Sequence, residues 1–223
     1  MTASSIRAEL ESYCSNIALA TLLNATFLDR MELFAQTLSL WGVRSNLTAK
    51  PEDPAETAFH IVDSLMPLVL VPDAFQDGKR VLDFGSGAGF PGLILASACP
   101  ARFILAESRR KRASFLRVAA AQMALDNVEV LAIRLQPKDP AQRFDAALSR
   151  ASGPLADFYS IAGTVLIKSG VAILYASSSQ RLELVAAQTN GLAGYRRYTY
   201  SLRHGRTVVN RVLAVWRKSE NSQ

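Results

Sequence analysis

Apolar positions along the chain fall into two textures. Over residues 4–42 they recur at steps of three and four. Phe27, Met31, Phe34, Leu38 and Trp41 share one helical face, a stripe that reads as core packing. Thr26, with Asp29 three residues later, reads as a capping box at the start of that helix. Residues 43–53 carry no such period and read as a linker. Asp53-Pro54-Ala55-Glu56 then supplies a cap, a first-turn proline and a first-turn acid, and predicts a helix through His60 to about Leu65. From residue 80 the apolar runs shorten and turn residues separate them. Strands are predicted over 80–86, 102–108, 128–134, 144–151 and 170–176, with helices over 91–98, 109–125, about 154–163 and 178–191. That alternation predicts βαβ units, hence a parallel sheet with helices on both faces.

The end of the chain breaks the rhythm. Two strand-like runs, 195–202 and 208–218, are joined by only Arg203-His204-Gly205-Arg206-Thr207. A link that short can only build an antiparallel hairpin. The expected fold is therefore α/β and Rossmann-like. It has a mostly parallel seven-stranded sheet with a C-terminal antiparallel hairpin, the ending of class I methyltransferases. Residues 1–55 are expected to form a helical extension and residues 56–223 the methyltransferase domain.

The motif with the most chemistry runs from Val81 to Gly92, after a predicted strand and into a predicted helix. Glycine lets the backbone turn sharply and approach a ligand with no Cβ in the way. Two patterns overlap in it. Gly87, Gly89 and Gly92 match the dinucleotide spacing G-x-G-x-x-G, which keeps an NAD-dependent oxidoreductase open. Gly85, Gly87 and Gly89 match the G-x-G-x-G of proteins that bind S-adenosyl-L-methionine. Asp83 just before the loop and the terminal hairpin favour the second. Asp83 is placed to orient the loop and the ligand's amino-acid moiety. Glu107 ends the second strand, 18 residues after Gly89, where a carboxylate accepts both hydroxyls of a ribose. Leu135 and Gln136 end the third strand, a position beside an adenine. Arg150 closes the fourth strand at the sheet edge where such folds bind ligands. It is the candidate catalytic residue, suited to a phosphate, a guanine O6 or a cofactor carboxylate, with a surface salt bridge as the alternative. His60 suits either a pocket wall or a structural role.

Composition narrows the class. Two cysteines, Cys14 and Cys99, and two histidines lack metal-type spacing, so no metal is expected. No run approaches about 18 uncharged apolar residues, and the first ten residues lack the order of a signal peptide. A cytoplasmic protein with no membrane span, acting as a monomer, is expected. Residues 1–60 hold 4 basic and 7 acidic side chains, residues 61–223 hold 21 and 12, and the whole carries +6. A basic domain behind an acidic extension suits a nucleic acid as well as a merely solvated surface. The basic residues gather at Arg109, Arg110, Lys111, Arg112 and Arg117, and again across 184–219, which contains no acid. There Tyr195, Tyr198 and Tyr200 alternate with arginines, as base-stacking residues do, though strand packing explains them too.

Several segments together resemble one family, the small-subunit 16S rRNA guanine-N7 methyltransferases, also known as the glucose-inhibited division protein B family. They are Leu40-Trp41 with Asn46-Leu47-Thr48-Ala49, Phe59-His60-Ile61-Val62-Asp63-Ser64-Leu65, the loop Asp83 to Gly92 with its Gly-Phe-Pro-Gly ending, Lys111-Arg112 with Phe115-Leu116, and Phe144-Asp145 with Ser149-Arg150-Ala151. They span about residues 38–155, in order. The resemblance implies methyl transfer from S-adenosyl-L-methionine to N7 of a guanine in 16S rRNA, near the decoding region. The partner it implies is the rRNA or the small ribosomal subunit. It carries cofactor contacts over to Gly85, Phe90, Leu135, Gln136 and Arg150. Glu107 stands where the family often has Asp, Gln136 where it often has Glu, and Gly42 where it tends to have Asn. A non-catalytic RNA-binding assembly factor and a methyltransferase with another substrate remain rival readings.

Overall fold

The computed structural model describes residues 5–13, 17–136, 143–150, 153–177, 182 and 184–219. Cys14 and most of the stretch 178–183 lie outside them. Helix α1 (Ile6–Glu11) and the single turn α2 (Ile17–Ala20) precede the long α3 (Ala25–Ser45). The cap of α3 is Asn24 rather than Thr26: its Oδ1 accepts the Phe27 N–H at 3.0 Å. An asparagine in extended conformation offers that oxygen directly, so the capping pair expected at Thr26 falls inside the first turn. The helix also outlasts its apolar stripe. It ends only where Asn46 turns left-handed at φ 47°, so the irregular linker begins there and not at residue 43.

Helix α4 (Pro54–Leu70) is capped as expected, with the Asp53 carboxylate accepting from Ala55 and Glu56 N–H. It continues past Leu65 because Met66 and Pro67 are also buried. Residues from Thr57 to Pro67 are buried almost without interruption, since the helix lies between the sheet and the preceding helices. A helix apolar on all sides needs such a double cover. A 3-10 turn (Pro72–Phe75) leads into the sheet.

The sheet contains β1 (Arg80–Phe84), β2 (Arg102–Ala106), β3 (Val128–Leu131), β4 (Phe144–Arg150), β5 (Leu166–Ser177), β6 (Leu192–His204) and β7 (Thr207–Lys218). Their order is β3-β2-β1-β4-β5-β7-β6. The first five are parallel, and β7 runs antiparallel to both β5 and β6. Strand β3 ends three residues earlier than predicted, so residues 132–136 form a loop. Strand β5 begins earlier, straight from the end of α7 (Leu155–Val165).

Helices α5 (Gly92–Ala98) and α6 (Arg110–Gln122) cover one face together with α1–α4. Helix α7 and the short α8 (Leu184–Thr189) cover the other, over Phe158, Tyr159 and Trp216. The N-terminal helices reach the glycine loop directly: the Phe34 ring meets Phe90 edge-on at 5.3 Å. No helix of the described residues is long and apolar enough to cross a membrane.

Candidate cofactor and substrate site

The site begins where β1 stops. Gly85, Gly87 and Gly89 all have positive φ, at 75°, 54° and 87°, so the loop folds back on itself before α5 starts. Gly92 serves a different need. A Cβ there would sit 2.3 Å from Leu105 Cδ2 and 2.5 Å from Asp83 Oδ2. The missing side chain lets α5 press against the sheet and lets the Gly92 N–H donate to Asp83 Oδ2 at 3.0 Å. Asp83 is buried, with its other oxygen, Oδ1, unpartnered. Burial is the main cause that raises its carboxyl to about 7. Asp83 therefore acts on the loop from behind. Neither it nor Gly87, Gly89 or Phe90 is among the residues that line the adjoining cavity.

That cavity, about 820 Å³, opens along the C-terminal edge of the parallel strands. Gly85 and Glu107 contribute from just past the ends of β1 and β2, Ile133 and Leu135 from the loop after β3, and Arg150 and Arg211 from β4 and β7. Gln136 lies next to Leu135, exposed and outside the lining. Glu107 is buried, and both its oxygens are held by backbone. Oε2 accepts the Gly87 N–H at 3.0 Å and Oε1 the Arg109 N–H at 2.7 Å. The carboxylate thus ties the glycine loop to the start of α6 and stands at the wall in one orientation. Arg112 lines the same wall. It donates to the Asn46 carbonyl at 2.8 Å, and its Nε is buried without a partner.

The other end of the cavity is a charged cluster. Arg150 Nη2 lies 2.7 Å from His60 Nδ1 and 3.5 Å from Asp63 Oδ2. Its guanidinium sits over the rings of Phe90 at 5.7 Å and Tyr175 at 6.0 Å, while Nη1 is buried with no partner. Asp63, with no solvent exposure, also accepts from Tyr200 Oη at 2.6 Å and from Arg211 Nη2 at 2.8 Å. Burial pushes this carboxyl up, but the neighbouring guanidiniums and the tyrosine outweigh it and hold it below its ordinary range. Burial first, then Arg150, pushes His60 down to about 4. Its Nδ1 faces a permanent donor and so accepts, which places the proton on Nε2. That nitrogen lies 3.2 Å from Glu56 Oε1, and the other Glu56 oxygen meets His204 Nε2 at 2.7 Å.

The structure brings Gly85, Glu107, Leu135 and Arg150 together around one cavity, with His60 in its wall. The sequence reading missed Asp63 and the inward role of Arg211. The available signal was an acid, Asp63, inside the mostly apolar run of residues 61–70. The tyrosines of β6 are not a stacking platform. Tyr195 packs on Trp216 at 5.2 Å, Tyr198 packs against the core, and Tyr200 is bonded to Asp63. Past a bulge between Ala193 and Arg196 the pairing is regular, and Tyr198 and Tyr200 share the face turned to the core. Cys99 donates its thiol to the Leu95 carbonyl, and burial pushes that thiol up to about 11.

A family model described as rRNA small subunit methyltransferase G matches residues 28–201. The chain belongs to that family. Among proteins of the methyltransferase G family, that of Dichelobacter nodosus is 36% identical over 142 residues, 63% of this chain and 65% of that protein. That of Nitrosospira multiformis is 38% identical over 135 residues, 60% of each chain. The match thus spans less than two thirds of both relatives. The Chlorobium luteolum member is 30% identical over 189 residues, 84% of this chain and 77% of its own length.

Solved structures agree on the fold. The precorrin-6y C5,15-methyltransferase of Geobacter metallireducens superposes with a TM-score of 0.52 at 18% identity, over 78% of this chain and 91% of that one. The tRNA (m1A58) methyltransferase TrmI of Aquifex aeolicus gives 0.54 at 16% identity, over 72% and 69%. The methyltransferase G family member described here therefore has the class I methyltransferase sheet, with its reversed strand at β7.

Proposed function

We propose that this chain transfers a methyl group from S-adenosyl-L-methionine to N7 of a guanine in 16S rRNA. The observation that carries the cofactor assignment is Glu107. Its two oxygens are fixed by the Gly87 and Arg109 N–H groups at the wall of a cavity large enough for a nucleoside ligand. Each keeps a lone pair for one hydroxyl of a ribose diol. The remaining residues fit the same ligand. Gly85 offers a wall without a side chain, and Gly87 and Gly89 shape the turn behind it. Leu135, with Gln136 at the rim, supplies an apolar wall and an amide for an adenine. Phe90 fills the space under Arg150. Asp83 holds the loop through Gly92. Arg150 and Arg112 line the cavity, and each keeps one buried N–H, at Nη1 and Nε, without a partner.

Strand order sets the direction of the ligand. With strands about 4.8 Å apart, Arg150 on β4 lies two positions, roughly 10 Å, from the strand that carries Glu107. An adenosyl group anchored by Glu107 and Leu135 therefore points its reactive end toward Arg150. S-adenosyl-L-methionine, when bound, supplies an electrophilic methyl on a sulfonium sulfur. Guanine N7 carries an in-plane lone pair and no proton, so the site needs no general base. Its task is alignment, and positioning alone is worth about 7–11 kcal/mol. A neutral His60 and a fully paired Asp63 suit that task, because neither has to exchange a proton.

Substrate RNA meets the exposed Arg109, Arg110 and Lys111 at the cavity mouth. The partner is 16S rRNA or the small subunit, which places the activity in the cytoplasm of a bacterial cell. The chain is read as a monomer, with residues 1–55 as an extension packed on a methyltransferase domain of residues 56–223.

The test is mapping of N7-methylguanine in 16S rRNA with and without the gene. One guanine should lose its methyl group in the deletion and regain it with the purified protein and the methyl donor. No change at any guanine removes the substrate assignment. Stabilisation by S-adenosylhomocysteine but not by NAD should accompany it. The reverse pattern restores the oxidoreductase reading, and cofactor binding without methyl transfer restores the assembly-factor reading.

A further inference from the structure

One face of α4 carries three successive contacts to the strand ends. His60, Asp63 and Ser64 stand at i, i+3 and i+4, the spacing that aligns side chains on a helix. His60 Nδ1 lies 2.7 Å from Arg150 Nη2, and Asp63 Oδ2 lies 3.5 Å from the same nitrogen. The Ser64 carbonyl accepts from Tyr175 Oη at 2.9 Å, and Tyr175 provides one of the two rings that flank the Arg150 guanidinium. We infer that Asp63 and His60 are positioning residues for Arg150. They fix one nitrogen of its guanidinium and so set the orientation in which the group lines the cavity. The inference rests on the methyl-transfer reading of the cavity.

Stability alone does not account for Asp63. A buried carboxylate must be stripped of water, and its ion pairs often return no more than an apolar side chain of the same size. Apart from Thr57 and Ser64, the other buried positions of helix α4 hold such side chains. A carboxylate there orients what it touches, and it touches two arginines that line the cavity. His60 completes the restraint from a second direction. Both contacts fall on Nη2, so rotation about the Arg150 Nε–Cζ bond breaks both at once and is opposed more strongly than by either alone. A guanidinium locked at one nitrogen presents the other at a defined place, as alignment of a reacting group requires.

The test combines kinetics with a direct view of the guanidinium. In the full chain, Arg150→Ala and Asp63→Asn should each lower kcat/KM for methyl transfer by roughly 10- to 100-fold, the range for losing a group that orients a functional side chain. The double variant should be no worse than Arg150→Ala alone, because Asp63 acts through the arginine. Multiplied losses would overturn the inference.

His60→Leu should lose activity, and His60→Gln, which keeps an acceptor, should recover most of it. Equal activity in both would also overturn it, whether or not Asp63→Asn folds. Nitrogen NMR of the arginine side chains gives a readout free of turnover. The two Arg150 Nη signals should be resolved in the wild type and averaged in His60→Leu, and averaged signals in the wild type refute the lock. Wild-type protein that fails to methylate any rRNA guanine, measured in parallel, overturns the functional reading itself. Unchanged variants beside an active wild type overturn only the positioning role.

Discussion

Two buried carboxylates do different work: Asp83 on β1, and Glu107 just past the end of the neighbouring β2. Glu107 faces the cavity with both oxygens pinned, whereas Asp83 faces the loop and leaves Oδ1 unpaired. Replacing Glu107 by Ala should weaken S-adenosylhomocysteine binding by roughly ten- to hundredfold, since hydrogen bonds to a charged group contribute about 1.5–3 kcal/mol. Calorimetric titration reads this directly, and an unchanged Kd would mean that the sugar is anchored elsewhere. Asp83 makes a prediction in pH. Its carboxyl rises on folding from an ordinary 3.8 to about 7, so the folded chain holds a proton there that the unfolded chain has released. The stability this contributes is complete below about pH 4 and is lost as pH climbs through 7. His60, pushed down to about 4, has the opposite sign: its contribution is lost as pH falls from 6.5. The two therefore oppose each other, and only a difference between variants isolates Asp83. Stability of Asp83→Asn minus that of the wild type, from urea melts, should rise between about pH 4 and 7 and then level off. A flat difference would mean that the carboxyl is ionised throughout.

At the scale of elements, the site depends on how closely α5 can lie on the sheet. Gly92→Ala puts a methyl group within 2.5 Å of both Leu105 and Asp83. Overpacking of this kind costs about 1–3 kcal/mol, so the chemical denaturation midpoint should fall, and the glycine loop should loosen its hold on ligand. A neutral result would show that α5 can slide outward at no cost. The same scale explains what could be read from sequence. The strands, the crossover helices and the final hairpin were legible because their signals are local: a short apolar run, a period of 3.6, a turn, a five-residue link. Gly85, Glu107, Leu135 and Arg150 were legible because each sits at a strand end or in the loop that follows it, and strand ends of a parallel sheet share one edge. The partners of Asp63 were not. Tyr200 and Arg211 lie 137 and 148 residues away and meet it only when β6 and β7 fold back beside α4. The same folding turned Tyr200 inward. Helix limits slipped for a simpler reason: Asn24 and Asn46 set the ends of α3 through backbone geometry, which apolar spacing does not register.

For the whole molecule, charge decides how RNA is met. The first 60 residues carry −3 and the remainder +9, so the chain presents a polyanion with one attractive side. That side is smaller than a count of arginines suggests. Arg211 is turned in toward Asp63, and Arg112 is tied to Asn46. Arg217 and Lys218 donate to the carbonyls of Ser169 and Asn190. Among the basic residues that do face solvent, Arg109, Arg110 and Lys111 gather at the start of α6, and Arg196, Arg197, Arg203 and Arg206 on the hairpin. Each phosphate neutralised on binding releases counterions and adds about 0.7–0.9 to the slope of log K against log salt, single strands giving the lower value. Removing the two charges of Arg110 and Lys111 by substitution with Gln should flatten that slope by about 1.4–1.8, with S-adenosylhomocysteine affinity unchanged, since neither side chain lines the cavity. The same double substitution at Arg203 and Arg206 measures the share of the hairpin. If the α6 pair alters nothing and the hairpin pair takes the whole effect, the RNA reaches the cavity from the β6–β7 side, and Arg109 is left to the cofactor end of the site.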